Sequence, residues 1–435
     1  MKFPNVSALS DFFDQYSELQ ILLTLVENDP ADYWLVGGCL RNFILNLPQT
    51  DIDIASSSDP TLLAKRWAAK TGGNWFWLDE QRHQSRVVIP DRLILDFNPL
   101  RAESIEKDQL LRDFTINSLA LLVDNSFPES LLLDPLNGVD HLEKKRLKSC
   151  SDESFSDDPL RILKGVRHAV TLDLEFENDT WKQLCSTSPL LSRIAGERIR
   201  DELKKILASK NVAKGLQLLD ESGVLQVILG HPGSQWNSEH LASELTLLNN
   251  KLTQFSDFNL PGLESVEQFN AREMILFTEL LKEYAPENRS DILHNRLRLS
   301  RQLERVVNAL SRPSDSALLQ SLAVASEPRQ QALLVELLNP FAALKLLYWG
   351  VCRDKFDLER LKKLIGSFNT LKFHGRIPDL LNGKQVSAAL QNVSPRQIGV
   401  YQSRIKLAEI NGEIFSATDA EKWLKTKLSF DNEEA

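Results

Sequence analysis

Apolar and polar positions divide this chain into two textures. Over roughly the first 125 residues the hydrophobic repeat switches between two and 3.6 residues, as it does where strands and helices mix. Residues 7–28 space their apolar side chains as one amphipathic helix. YWLV (33–36) reads as a short buried strand ended by Gly37-Gly38. CLRNFILN returns to helical spacing, and DIDIA (51–55) alternates as a second strand. A helix is expected over 61–70, then Gly72-Gly73, then three strand-like runs, WFWLD, RVVI and LILDF. Beyond about residue 155 nearly every segment is helix-like, rich in Leu, Lys, Glu and Arg, with few β-branched runs. No internal repeat or low-complexity tract interrupts it. Pro261-Gly262 and Arg312-Pro313-Ser314 are the best loop candidates, and the final DNEEA is expected to fray. The pattern predicts an α+β protein: a mixed-sheet head followed by a long helical body.

Composition narrows the function classes. At 435 residues the chain exceeds what one core organises, so two to four domains are expected. The formal net charge of −9 is unlike that of a protein coated in basic charge for indiscriminate nucleic-acid binding. Any RNA contact must come from local basic patches. Cys39, Cys150, Cys185 and Cys352 form no CxxC pair, which argues against a zinc or redox motif and fits reduced thiols in the cytoplasm. MKFPNVSALSDFF lacks the apolar stretch of a signal peptide. The most apolar long segment, 332–351, contains Glu336, Asn339, Pro340 and Lys345, so it reads as a buried helical pair and not a membrane span.

The first candidate chemistry lies in WLVGGCLRNFILNLPQTDIDIA. A strand runs into Gly37 and Gly38 and a helix starts at once. Glycines let backbone N–H groups approach a phosphate, and a helix N-terminus favours negative charge. Arg41 falls in the first helical turn, where a guanidinium could hold a triphosphate oxygen. Asp51 and Asp53 are two apart on a strand and share a face, which suits a hard divalent cation. A lone Gly-Gly is usually a turn, and a lone DxD usually a solvated strand edge. In this order and spacing they are far more specific. Neither GxGxxG nor GxxxxGK[ST] occurs, which excludes the Rossmann and P-loop readings.

This stretch resembles the nucleotide-binding signature of the polymerase-β superfamily, in the form found in class II tRNA nucleotidyltransferases (CCA-adding enzymes) and bacterial poly(A) polymerases. Asn42 departs from it, where the family carries Asp. The resemblance implies a third catalytic carboxylate on a neighbouring strand, and Asp96 in LILDF is the candidate. LLRDFTINSLALLV resembles the family's RRDFTxNAxA motif, with Leu111 in place of the first Arg. It implies that Arg112 contacts the incoming nucleotide, that Asn117 belongs to the same site, and that Asp113 with Asn117 holds the loop together. Without the resemblance this segment would be a helix with Asp113 at its N-terminus.

DDPLRILKGVRHAV is the most informative helix. Ile162, Leu163, Val166, Ala169 and Val170 cluster on one face; Asp158, Arg161, Lys164 and Arg167 occupy the opposite half. By itself this is an amphipathic helix with a solvated charged face. It resembles, however, the family's DPxR template motif, with Lys164 where the family has Arg. The resemblance implies that a carboxylate accepts from the exocyclic amino group of C or A while Arg donates to the ring nitrogen, so that U and G are refused. ERIRDELKKIL (197–207) resembles a helix of the family's neck.

In the helical remainder, Arg296, Arg298, Arg301 and Arg305 form a basic cluster for tRNA phosphates or a plain charged helix face. The C-terminal segment resembles the family's tail, with Lys384-Gln385 replacing an acidic residue. No His-Asp dipeptide occurs, so His231 and His240 lack the signature of a metal-dependent phosphohydrolase. The expected organisation is a polymerase-β-like nucleotidyltransferase head (1–145), a helical neck for base recognition (146–210), a helical body (211–310) and a helical tail that binds tRNA (311–435). The expected activity is Mg2+-dependent addition of C and/or A from CTP and ATP to the 3′ end of tRNA. A poly(A) polymerase is the alternative, and an inactive RNA-binding relative the third. Neither a membrane nor a protein partner is expected.

Overall fold

The computed structural model describes residues 4–431 apart from 49–50, 125, 231–236, 254–265, 267–268, 283, 285, 312–315, 352–356, 372–376 and 391–393. It divides into two compact units, 1–231 and 232–435. The loop candidates Pro261-Gly262 and Arg312-Pro313-Ser314, together with His231 and Cys352, lie outside the described residues.

The first unit opens with two helices, α1 (Val6–Gln15) and α2 (Ser17–Glu27), where the apolar spacing predicts one. The break is Tyr16, whose backbone is extended at φ −113°, ψ 103°. Its ring packs 5.0 Å from Phe12 and lies under the Arg92 guanidinium, so a tertiary contact interrupts a helical period. Then come β1 (Tyr33–Val36), α3 (Gly38–Ile44), β2 (Asp51–Ser56), α4 (Thr61–Thr71), β3 (Asn74–Asp79), β4 (Gln84–Ile89), β5 (Leu93–Pro99), α5 (Ile105–Leu110), β6 (Ala120–Leu122) and β7 (Leu132–Leu133). Each strand expected before residue 100 is present.

The seven strands form one mixed sheet in the order β3-β4-β5-β2-β1-β6-β7. β2 pairs parallel with β5 and antiparallel with β1. Alternation along β2 sends Ile52 and Ile54 into the core with Leu35, Leu95, Phe97 and Trp67 of α4. Asp51 and Asp53 therefore point to the opposite face. That polar face holds the site.

The Asp113 segment is not the helix its local pattern predicts. It forms a single tight turn at Thr115–Asn117 and runs into β6. Phe114, Ile116, Leu119 and Leu121 are all fully buried, so burial on several sides overrides helical spacing. Gly138 permits the packing below it: a Cβ there would stand 2.2 Å from the Thr115 carbonyl oxygen. Beyond α6 (Gly138–Glu143) and α7 (Ser154–Asp157) comes α8 (Leu160–Thr171), which buries Ile162, Leu163, Val166, Ala169 and Val170. α9 (Asn178–Thr187), α10 (Gly196–Leu207), α11 (Val212–Glu221) and α12 (Val224–Leu229) complete the unit.

The described residues of the second unit are helical apart from turns and one isolated bridge. Its apolar segment is indeed a buried pair, Pro328–Leu337 and Ala342–Gly350, bent by 101° around Asn339-Pro340. No single described helix is long and apolar enough to cross a membrane; this bent pair passes by length and composition, yet Ala332 to Val335, Leu344, Leu346 and Leu347 are buried inside the unit. Arg296, Arg298, Arg301 and Arg305 are exposed, and Arg296 is held by Asp291. Gln385 closes a reciprocal cap with Asn382, each side chain accepting from the other's backbone N–H, a role Gln fills as well as an acid.

Candidate active site

The polar face of the sheet and the start of α8 enclose a cavity of about 360 Å³. Eight of the predicted residues line it: Gly37, Gly38, Asp53, Arg112, Asn117, Asp158, Arg161 and Lys164. Positions from four separate stretches of sequence thus converge on one space.

Gly37 shapes its floor. Its φ of 79° is left-handed, and a Cβ would lie 3.3 Å from Arg112 Nη1 and 3.4 Å from Asp53 Oδ2. The backbone disfavours a side chain there, and a Cβ would also crowd the Arg112 guanidinium. Asp53 projects from the middle of β2, in register with Asp96 on β5. Its pKa is pushed up to about 6, first by burial and then by the Asp96 charge, with a smaller push from Asp51. A carboxylate so raised lacks enough positive charge nearby, and a divalent cation between Asp51 and Asp53 would supply it. The donor set therefore fits a hard cation.

Asp96 is committed elsewhere. Arg86 on β4 grips it with Nε at 2.6 Å and Nη2 at 2.8 Å. Asp51 is exposed at the start of β2, and neither Asp51 nor Asp96 lines the cavity. Among the described residues, no three His, Cys, Asp or Glu side chains converge on one point.

The opposite wall is built on arginine. Asp108, almost fully buried on α5, accepts from Arg112 Nε and Nη2 at 3.1 and 2.9 Å and from Arg101 Nε at 3.0 Å. Burial alone would raise its pKa, but the hydrogen bond and charge of Arg101 and the charge of Arg112 hold it below the ordinary value. Asp108 escaped the sequence reading, although its i,i+4 spacing to Arg112 was a usable signal.

Arg161 reaches back from α8 to the head. Its Nη2 donates to the Leu111 carbonyl at 2.9 Å; its Nη1 donates to Ser154 Oγ at 3.0 Å and to the carbonyls of Ser154 and Arg112. This guanidinium is a strut as well as a cavity wall. Asp158 stands just before α8 in extended backbone, as a residue preceding Pro159 must. Its Oδ1 accepts from the Leu160 N–H, and Arg198 approaches Oδ2 at 3.5 Å. The half-buried stripe of Asp158, Arg161, Lys164 and Arg167 is not a freely solvated face.

Two predicted phosphate or base contacts sit behind the cavity. Arg41 donates from Nε and Nη2 to Asn42 Oδ1 and from Nη1 to Asn117 Oδ1. Burial first, and then the nearby Arg167, lower its pKa to about 10. Arg167 pairs with Glu202 of α10 at 2.8 Å and approaches His168 Nε2 at 3.3 Å. His168 is fully buried, its pKa driven well below the ordinary value by burial and by Arg167 and Arg41. Nothing in its sequence context marked it. Asn117 joins these groups, donating to Asp113 Oδ1 at 3.1 Å and facing His168 at 3.3 Å.

A carboxylate face on a mixed sheet stands opposed to a basic helix across one cavity. Residues 33–148 match the poly A polymerase head domain, and residues 173–234 match the family described as a probable RNA and SrmB-binding site of polymerase A. These two regions of the chain therefore resemble the corresponding parts of polymerase A and its relatives. Over 211 residues the chain is 38% identical to the CC-adding tRNA nucleotidyltransferase of Geobacter sulfurreducens, covering 48% of either chain. Over 241 residues it is 33% identical to the CCA-adding enzyme of Streptococcus gordonii, covering 52% of this chain and 59% of that one. The matched region spans about half the length of these relatives. In fold, the chain is similar over 98% of its length to all of the Thermotoga maritima CCA-adding enzyme complexed with tRNA, with a TM-score of 0.69 at 21% identity.

Proposed function

We propose that this protein adds C and/or A from CTP and ATP to the 3′ end of tRNA, releasing pyrophosphate. One observation carries the reading: Asp53 and the Asp158–Arg161 pair face the same cavity from opposite walls. A nucleotide held there would present its phosphates to β2 and its base to the start of α8. Mg2+ held by Asp51 and Asp53 would, when bound, polarise the α-phosphate and favour ionisation of the RNA 3′-hydroxyl. The 3′ oxygen forms the new bond to the α-phosphorus as the bond to pyrophosphate breaks, and the hydroxyl proton passes to solvent.

The chain's own groups do the rest. Gly37 and Gly38 leave room for phosphate oxygens, and Arg112, braced by Asp108, offers them positive charge. Asp158 accepts from the exocyclic amino group of C or A, and Arg161 donates to the ring nitrogen. U and G present a carbonyl where the amino group is required, so a buried mismatch rejects them. Arg41 and Arg167 support the site from behind through Asn117, His168 and Glu202. Residues 1–145 serve as the catalytic head, 146–210 as the neck, 211–310 as the body and 311–435 as the tRNA-binding tail of a cytoplasmic enzyme.

The test uses tRNAs ending at the discriminator base, at C and at CC, each given CTP, ATP or both. Addition of at most three residues to tRNA, with unstructured RNA a poor substrate, is the expected result. Long homopolymer tails on generic RNA would favour the poly(A) polymerase reading. No incorporation on any end would overturn both.

A further inference from the structure

The polar face of the sheet does not stop at the cavity. Strand register places four side chains in one row across it: Asp53 beside Asp96, Asp96 beside Arg86, and Arg86 beside Phe76. Phe76 therefore stands on the same face as the catalytic carboxylate, on the sheet's edge strand β3. Three interstrand spacings put it ~14 Å from Asp53. It is 43% exposed, and Leu78, at the bulge beside it, is 45% exposed. The cavity itself reaches this outer half of the sheet, because Gln84 of β4 lines it.

An exposed aromatic ring on a catalytic face calls for an explanation that core packing cannot give. Its neighbours Trp75 and Trp77 point to the other face, where they pack edge to face at 4.9 Å and Lys65 of α4 lies over Trp75. Among the described residues, no ring or cation packs on Phe76 in this way. The nucleotide end of the cavity, around Gly37, Arg112 and α8, lies on the β1 side of Asp53. The attacking strand must approach the same phosphorus from the other side, and the β5-β4-β3 half of the sheet lies on that side of β2.

We infer that the 3′ segment of the RNA substrate runs over this outer half of the sheet and that Phe76 is the stacking surface for one of its bases, a few nucleotides from the reacting end. The inference rests on the proposed RNA-extending activity. Stacking on an aromatic ring is indifferent to sequence, which suits a substrate end that changes with each addition. The row also places Arg86 between ring and carboxylates, where its grip on Asp96 keeps the path from being wholly acidic.

The experiment compares wild type, Phe76→Ala and Phe76→Trp in steady-state kinetics on one tRNA, varying RNA at saturating nucleotide and nucleotide at saturating RNA. Phe76→Ala is expected to raise the RNA KM roughly tenfold with nucleotide KM unchanged, and Phe76→Trp to restore it. An RNA KM within twofold of wild type in Phe76→Ala, with the wild type active, would overturn this inference and leave the proposed activity standing. A wild type that extends no RNA would overturn the activity itself. Altered self-association with unchanged RNA KM would assign Phe76 to a protein contact and likewise overturn the inference.

Discussion

The two walls of the cavity are balanced in opposite ways. On the sheet side, Asp53 is raised to about 6 by burial and by Asp96, which outweigh the charges of Arg112 and Arg86. On the arginine side, Asp108 is held below its ordinary value by Arg101 and Arg112, and Arg161 is anchored on three backbone carbonyls and a hydroxyl. One wall is finished by its own residues. The other carries a buried carboxylate whose charge its neighbours only partly offset. Under the proposed function, this difference separates the wall that would take a cation from the wall that is already braced.

The strongest way to break the comparison is to remove the unfinished charge. Asp53→Ala is expected to lower kcat by at least about 1000-fold for CTP and ATP alike, with tRNA binding retained, as loss of metal positioning would. Activity above a few per cent at saturating Mg2+ would contradict the assignment. The finished wall should answer in stability instead. Asp108→Asn leaves two guanidinium groups facing a neutral amide and is expected to cost about 3 kcal/mol in thermal or urea unfolding at pH 7. Its folded pKa is depressed, so Asp108 stabilises above its unfolded value near 4 and loses that effect as pH falls through the folded value. The gap between Asp108→Asn and wild type should therefore narrow in acid.

Asp53 carries the opposite sign. Its raised pKa means the folded protein binds the proton more tightly, so stability should fall as pH rises from about 4 to about 6 and stay low above that. The loss should be on the order of 2–3 kcal/mol without divalent metal. Melting curves at pH 4.5 and 7.5, with EDTA or with Mg2+, would check this; Asp53→Asn should abolish the dependence. Smaller effects belong to base choice. Asp158→Ala and Arg161→Ala should each cost about 1–3 kcal/mol of discrimination against UTP and GTP, read as ratios of kcat/KM on one tRNA. Arg161→Ala should also lower Tm, because its strut to residues 111–112 is lost, whereas Asp158→Ala should hardly do so. Unchanged ratios in both would return the stripe to a plain helix face. Lys164→Arg should move kcat/KM only a few-fold, since a planar fork replaces a flexible ammonium on the same wall.

The sequence by itself determined the five strands before residue 100, the turn at Gly37 and the amphipathic helix that follows Pro159, because these follow from period, glycine chemistry and apolar spacing over short range. The resemblance of its motifs to a known family, and not spacing alone, pointed to Asp53, Arg112, Asp158 and Arg161 together, and all four line one cavity. Only the tertiary structure decided which charges are free. Arg41 and Arg167 look like cavity residues in a one-dimensional pattern, yet Asn117, Asn42 and Glu202, distant in sequence or unremarkable in type, take their guanidiniums. Tyr16 broke a helix that local period would have continued, and burial of Phe114 and Ile116 made a turn and strand from a helical pattern. The row from Asp53 to Phe76 exists only through strand register. Local periodicity reports which side of an element is apolar, but pairing and burial between remote segments set where each polar group ends, and those energies are written nowhere along the chain.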